Sequence, residues 1–173
     1  MTVRLALLAG AVLALSACGS SKSGSPAPAM NATSAVSAKS TVSTKSVSGA
    51  GTVLVDAKGD ALYSPAQEKG GKILCTGGCT AVWVPLTVAS GTTPTAGQGV
   101  SGKLGVVERP VGRRQVTWNG SPLYTFANDG GLGRVTENGA TDSFSGMSFT
   151  WHVATAGGTP APAPSTTKGG YGY

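Results

Sequence analysis

The chain has 173 residues, of which 12% are charged and 6% aromatic, and its 13 basic and 7 acidic side chains give a formal net charge of +6. Five of the basic residues lie near the ends of the chain, so residues 49–156 hold eight basic and seven acidic side chains, a net of about +1. A nucleic-acid binder carries its basic excess on the folded surface. We therefore expect no nucleic-acid partner. The basic residues near the ends are Arg4, Lys22, Lys39, Lys45 and Lys168.

The first element, residues 1–17, is typical of an export signal. A positive start at Arg4 precedes an apolar run from Leu5 to Leu15, which is too short to span a bilayer and ends in small residues. Leu-Ser-Ala-Cys before and including Cys18 resembles the bacterial lipobox, which implies a diacylglyceryl group on that cysteine and cleavage before it. Two acyl chains suffice for stable membrane anchoring. We therefore predict a lipoprotein on the extracytoplasmic face of a bacterial cell membrane.

Two low-complexity segments flank the predicted domain. Residues 18–48 follow the anchor with Ser, Ala, Thr and Lys and without aromatic residues, so they are predicted to form a disordered tether. Residues 157–173, rich in Pro and Gly, are predicted to be a disordered tail. The span 49–156 between them has the size of one small domain.

Strand and turn signals dominate this domain. Thr52 to Val55 leads through a glycine-containing turn into Ala61 to Tyr63, and Asn119-Gly120 separates two strand-like runs, which is a strong hairpin signal. Further strands are expected at 104–108 and 149–154, with one short helical turn at about 80–83. These signals predict an all-β, mainly antiparallel domain, a small sandwich or barrel-like fold with little helix.

A shift of 61 residues aligns the domain with itself. It also aligns Glu68 with Asp129, and each copy runs on to a tryptophan, Trp83 or Trp151. We therefore expect two related repeats, at about 51–90 and 103–154, that share one core. The shift places Val55, Gly59, Leu62, Tyr63 and Ser64 on Val116, Gly120, Leu123, Tyr124 and Thr125.

These motifs resemble the secreted-repeat lipoproteins, a bacterial family with a Tyr-x4-Asp motif and no assigned function. The resemblance covers about residues 51–153 and implies a surface or periplasmic location. The second copy keeps the motif from Tyr124 to Asp129. The first departs from it, with Glu68 in place of Asp and Trp83-Val-Pro-Leu in place of Trp-Pro-Pro-Leu.

Cys75 and Cys79 remain once Cys18 is assigned to lipid. An exported compartment favours oxidation, and Thr-Gly-Gly between them lets the chain turn back, so we expect a structural disulfide. The alternative is a redox or copper(I) site, because thiolates suit a soft metal. That alternative set is Cys75, Cys79, Met147 and His152, although His152 follows Trp151 in a strand and is expected to face solvent.

The Tyr-x4-Asp motif permits two interpretations. One is a buried aromatic pair whose loop carboxylate accepts hydrogen bonds. The other is an aromatic and acidic pocket for a sugar, a cation or a peptide. The candidate ligand-binding residues are Tyr124, Phe126, Asp129, Tyr63 and Glu68.

Catalysis has little support, because the sequence contains one histidine, scattered acids and no nucleophile elbow. We expect no cofactor and a non-catalytic envelope module that binds a cell-wall, small-molecule or protein ligand. The alternatives are the redox or copper role of Cys75 and Cys79, and a hydrolase that depends on His152.

Overall fold

The structure is a computed structural model that describes residues 39–157. Within this range, helix is limited to a 3-10 turn at Ala66–Glu68 and a single turn, α1, at Cys79–Val82. All pairings between the strands are antiparallel, and the sheets are sandwich-like without a closed barrel, which confirms the predicted fold class. The strands are β1 (Val42–Val47), β2 (Gly51–Asp56), β3 (Leu62–Pro65), β4 (Trp83–Pro85), β5 (Thr87–Val88), β6 (Leu104–Glu108), β7 (Arg114–Trp118), β8 (Ser121–Pro122), β9 (Tyr124–Phe126), β10 (Thr141–Phe144) and β11 (Met147–Val153).

Two tight turns lie at equivalent positions in the related halves. After β2, the Asp56 carboxylate accepts hydrogen bonds from the backbone N–H groups of Lys58, Gly59 and Asp60 at 2.8–3.0 Å. These bonds hold the turn closed around the Asp56 side chain. Between β7 and β8, Asn119 and Gly120 both have positive φ, 49° and 80°, as a two-residue type I′ turn requires. Both turns lie where the sequence predicted them.

The five-stranded sheet has the order β10-β11-β3-β9-β4, and its centre relates the two copies. Strands β3 and β9 are antiparallel neighbours in which Tyr63 lies opposite Tyr124, its own counterpart under the repeat. On the outer side of β9, β4 places Trp83 opposite Phe126. On the outer side of β3, β11 makes the equivalent pairing. The sheet therefore has a pseudo-two-fold axis between β3 and β9.

Beyond each tryptophan the chain passes from the five-stranded sheet to another sheet. This is the four-stranded sheet β5-β7-β6, with β8 beside β7, in one half, and the two-stranded sheet β1-β2 in the other. Leu86 donates to the carbonyl of the residue before β9 and accepts from Val116 of β7, at 2.9 and 2.8 Å. Ala154 makes the same two bonds in the other half, to Leu62 and Leu54, each at 2.8 Å. The counterpart of Val116 is therefore Leu54 and not Val55, on which the 61-residue shift placed it. The β1–β2 hairpin is thus the counterpart of the β6–β7 hairpin.

This equivalence corrects the predicted tether. The segment 18–48 was expected to be disordered, yet residues 42–47 form β1, and Val42 is completely buried. Pairing with β2 supplies the backbone hydrogen bonds and apolar contacts that composition alone did not reveal. The first copy therefore extends back to Val42. The signal segment 1–17, Cys18, the earlier part of the tether and the tail from residue 158 onward lie outside the described residues.

The described residues bury two hydrophobic clusters, and the larger one is aromatic at its centre. Trp83 and Trp151 stack with their ring centroids 3.8 Å apart and an interplanar angle of 9°. Tyr63 packs edge-on against the first ring and Tyr124 against the second, each at 5.3 Å. Offset stacking and edge-to-face contacts are the favourable geometries for aromatic pairs. The second cluster is mainly aliphatic and also contains residues of both copies, so the two halves share their core, as the repeat predicted.

Candidate functional site

The structure contains two Tyr-x4-acid motifs, one in each copy. In each motif the tyrosine donates a hydrogen bond to the acid of the other motif. The Tyr63 hydroxyl donates to Asp129 Oδ2 at 2.8 Å, and the Tyr124 hydroxyl donates to Glu68 Oε2 at 2.6 Å. The crossing follows from the pseudo-two-fold axis, because β3 and β9 run in opposite directions beside it. Each motif therefore acts between the copies rather than within one.

The second oxygen of each acid closes its own loop. Glu68 Oε1 accepts the backbone N–H groups of Leu74 and Cys75 at 2.5 and 2.6 Å. Asp129 Oδ1 accepts from the backbone N–H and the hydroxyl of Thr136, at 3.1 and 2.6 Å. Thr136 is the counterpart of Cys75 under the repeat, so Glu68 substitutes for aspartate without losing the contact.

These groups lie in the protein interior, and burial raises the pKa of the two tyrosine hydroxyls. Tyr63, Tyr124 and Glu68 are completely buried, and Asp129 is 4% exposed. Burial raises the pKa of the Tyr63 hydroxyl well above its ordinary value, and the hydrogen bond to Asp129 raises it further. Burial likewise raises the pKa of Tyr124, with the nearby Glu68 carboxylate as the second cause. Both hydroxyls remain proton donors throughout the ordinary pH range.

The burial corrects the predicted pocket at the motif. Four of its five candidate residues are buried and form hydrogen bonds with one another in the core, so they do not line a cleft. The fifth, Phe126, is half-buried and packs against Trp83 with a centroid distance of 4.8 Å. The structure therefore favours the interpretation of the motif as a buried aromatic pair with carboxylate acceptors.

Cys75 and Cys79 form a disulfide with a Cα–Cα distance of 5.4 Å, as expected, and both are completely buried. The bond occupies both sulfur atoms, so the copper(I) set loses its two thiolates. Met147 and His152 lie on β11, and no group of three or more His, Cys, Asp or Glu residues within 39–157 has metal-binding geometry. His152 is half-buried and pairs with Ser64, while Trp151 faces the core.

Sequence reasoning missed Arg109, which links the disulfide loop to a crossed pair. Its side chain is 6% exposed, and its Nη2 donates to the Cys75 carbonyl at 2.6 Å. Its Nη1 donates to Gln115 Oε1 and contacts the Tyr124 hydroxyl at 3.4 Å. The Gln115 amide in turn donates to the Leu123 carbonyl at 2.8 Å. No local pattern marks Arg109, because two of its three acceptors are 15 and 34 positions away in the sequence.

A groove of about 400 Å³ lies where the disulfide loop, β4, β5 and the loop between β6 and β7 meet. Its lining contains two arginines and no acidic residue. Val84 and Val111 stand at it with exposed fractions of 43% and 76%. The groove therefore combines positive charge with exposed apolar surface. Its lining residues are Thr76, Gly77, Thr80, Val84, Pro85, Thr87, Arg109, Pro110, Val111 and Arg113.

The two arginines of the groove differ in how they are held. Arg109 is fixed by the acceptors described above. Arg113 is exposed, and its side chain has no hydrogen bond or ion pair to any other residue in the part of the chain that the structure describes. Its neighbour Arg114 instead pairs with Glu108 at 3.4 Å and donates to the Thr92 carbonyl at 2.9 Å. Arg113 is thus the cation available to a ligand.

No helix between residues 39 and 157 is long and apolar enough to cross a membrane.

Comparison with known proteins gives a match to the second copy. No curated protein and no solved structure matches the chain. Residues 105–155, which run from β6 to the end of β11 and include the second Tyr-x4-Asp motif, match the model of a family described as a secreted repeat of unknown function, and this confirms the resemblance drawn from the motifs.

Proposed function

We propose that this protein is a lipid-anchored, non-catalytic module of the bacterial envelope that binds an anionic ligand in the groove beside the disulfide. The observation that carries the proposal is the lining of the groove, which has Arg109 and Arg113 and no carboxylate. Its volume of about 400 Å³ lies within the usual range for small-ligand sites.

The network behind the groove supports binding rather than turnover. Arg109 is oriented by Cys75, Gln115 and Tyr124, so its charge is held in place before any ligand arrives. Such preorganisation reduces the ordering cost of binding. The tyrosines and acids of the crossed pairs satisfy one another in the core and do not reach a substrate. These features favour a rigid receptor.

Anchoring through Cys18 supplies the location. The family that matches the second copy is described as secreted, which indicates an extracellular or envelope location. The anchor itself is tested by comparing the wild-type chain with Cys18→Ala in cells fed labelled palmitate. We expect label and partition into a detergent phase for the wild type and neither for the variant. Label on the variant, or none on the wild type, would contradict the anchor.

Anion binding is tested by calorimetry of the purified lipoprotein in detergent micelles, with small carboxylates and phosphate monoesters as probes. We expect Arg113→Gln to weaken binding about tenfold or more, because a charge-assisted hydrogen bond contributes roughly 1.5–3 kcal/mol. Arg134→Gln is the matched control, since Arg134 is exposed and does not line the groove. Equal affinities for the two variants would refute the groove as the binding site.

A further inference from the structure

We infer that the groove takes the end of a peptide-like chain, with a free α-carboxylate, a small apolar last side chain and an amide N–H behind it. This inference rests on the proposed anion binding and specifies the ligand class. Three features of the groove carry it: a cation without an internal partner, a strand edge that offers a carbonyl oxygen but no N–H, and an exposed apolar wall.

The first feature recognises the carboxylate. Arg113 presents a planar guanidinium that matches a carboxylate through two parallel hydrogen bonds. Arg109 adds a second positive charge at the wall, and no carboxylate in residues 39–157 lies within ion-pair distance of it. Arg114 does not compete for the ligand, because Glu108 already neutralises it. The Tyr124 hydroxyl that contacts Arg109 also donates to Glu68, so Arg109 already has a carboxylate nearby in the core. Arg113 is therefore the residue whose charge an anion from outside would compensate.

The second feature recognises the amide. Strand β4 is the last strand of its sheet, and Val84 directs its backbone groups to β9. In an antiparallel pair the groups of alternate residues point away from the neighbour, so the carbonyls of Trp83 and Pro85 point away from β9. Trp83 is completely buried, so only the Pro85 carbonyl is offered to a ligand in the groove. The Trp83 N–H is already bonded to the Cys79 carbonyl, and Pro85 has no N–H. The edge therefore can accept a hydrogen bond from a ligand at Pro85 but cannot pair with a whole strand.

The third feature selects the side chain. Val84 and Val111 are two of the four exposed large apolar residues in the described part of the chain, and both line the groove beside Pro85 and Pro110. None of the lining residues is aromatic, so the groove has no ring face on which a sugar could stack. A small aliphatic group fits this wall better than a neutral glycan.

The two halves of the domain differ at this point. In the second copy, β10 covers the outer edge of β11. In the first copy, the equivalent edge of β4 has no neighbouring strand among residues 39–157. The pseudo-symmetry is therefore broken where the groove lies, which leaves one copy with an accessible edge and gives the domain one site rather than two.

The test uses the purified lipoprotein in detergent micelles and measures its affinity for N-acetylated alanyl-alanine by calorimetry. We expect binding of the free acid, at least tenfold weaker binding of the C-terminal amide, and a comparable loss for the acid with Arg113→Gln. Arg134→Gln should bind as the wild type does. Val111→Ser should weaken binding several-fold, because it removes part of the apolar wall.

The two stereoisomers separate the sources of this ligand. Preference for the D,D form indicates a cell-wall stem peptide, preference for the L,L form indicates the C-terminus of a protein, and equal affinity supports the shared chemistry. Three results would overturn the inference. If acetate and phosphate bind as tightly as the dipeptide with the same dependence on Arg113, the ligand class is wrong but anion binding stands. If the amide binds as well as the acid, the groove does not recognise the carboxylate and the ligand class is wrong; anion binding then stands only if acetate or phosphate binds with dependence on Arg113. If no anion shows dependence on Arg113, the proposed binding function fails as well.

Discussion

Tyr63 and Tyr124 lie directly opposite each other on the two central strands. The hydroxyl of each tyrosine donates a hydrogen bond to the acid that belongs to the motif of the other tyrosine. A Tyr-x4-acid motif has no obvious local purpose, since the tyrosine does not bind the acid that follows it. The pairing explains the spacing. The strand positions the tyrosine beside the pseudo-two-fold axis. The turn that follows positions the acid within hydrogen-bond distance of the tyrosine from the other repeat.

Loss of Glu68 is expected to destabilise the fold more than loss of Asp129. Glu68 accepts from Tyr124, Leu74 and Cys75, and all of these donors lie in or near the core. Each buried donor left without an acceptor costs roughly 1–3 kcal/mol. We expect Glu68→Ala to lower the free energy of unfolding by about 3 kcal/mol or more, measured by urea denaturation. A loss below that of Asp129→Ala would contradict this ranking.

Reduction of the disulfide is expected to cost about 2 kcal/mol, the entropy of closing a loop as short as Cys75 to Cys79. Both sulfurs are completely buried, so a thiol reductant should react only when the region opens. We expect Cys75→Ser with Cys79→Ser to fold, with a urea midpoint lowered accordingly. In the wild type, a thiol reagent should label no domain cysteine without prior reduction. Labelling of the unreduced native chain would show that the pair is not oxidised.

The protein is expected to lose stability in alkali. The pKa values of Tyr63 and Tyr124 are raised in the folded state, so above the ordinary tyrosine pKa of about 10 the unfolded chain loses these protons while the folded chain keeps them. The free energy of unfolding should therefore be unaffected by them below that pH and fall above it, by about 1.4 kcal/mol per pH unit for each tyrosine. Denaturation at several alkaline pH values measures the slope. Tyr63→Phe should reduce it, and an unchanged slope would contradict the shift.

Replacement of Arg109 is expected to affect both stability and binding. Arg109→Met keeps the apolar stem but leaves the Cys75 carbonyl and Gln115 without their charged donor, at a cost of roughly 1–3 kcal/mol. Anion affinity should fall as well, because a fixed charge leaves the groove. Arg109 should differ from Arg113 in this respect. Substitution of Arg109 should lower both stability and anion affinity, whereas substitution of Arg113 should change the affinity and leave the urea midpoint the same. A midpoint shift of similar size for Arg113→Gln would show that it has a structural role.

Local signals predicted much of the fold correctly. The Asn119-Gly120 turn requires positive φ at two residues, and that sequence supplies it cheaply, so the hairpin was predictable. The 61-residue repeat predicted a shared core, because two half-domains of this kind each leave an apolar face to cover. The short spacer between Cys75 and Cys79 likewise predicted the disulfide.

Long-range partners were not predictable. Strand β1 has a composition typical of linkers and becomes a strand only because β2 pairs with it. Arg109 is followed by a proline in a polar turn, and its burial depends on Cys75 and Tyr124, which are 34 and 15 positions away. The groove arises where three segments from both copies meet. None of these relationships has a local period or motif.

The crossed pairing is tested most directly by double-mutant cycles on the free energy of unfolding. Tyr63→Phe combined with Asp129→Asn should show a coupling energy of about 0.5–3 kcal/mol, because the two side chains share a buried hydrogen bond. Tyr63→Phe combined with Glu68→Gln, the two positions within one motif, should be additive within about 0.5 kcal/mol. Coupling within the motif and additivity across the copies would contradict the crossed arrangement.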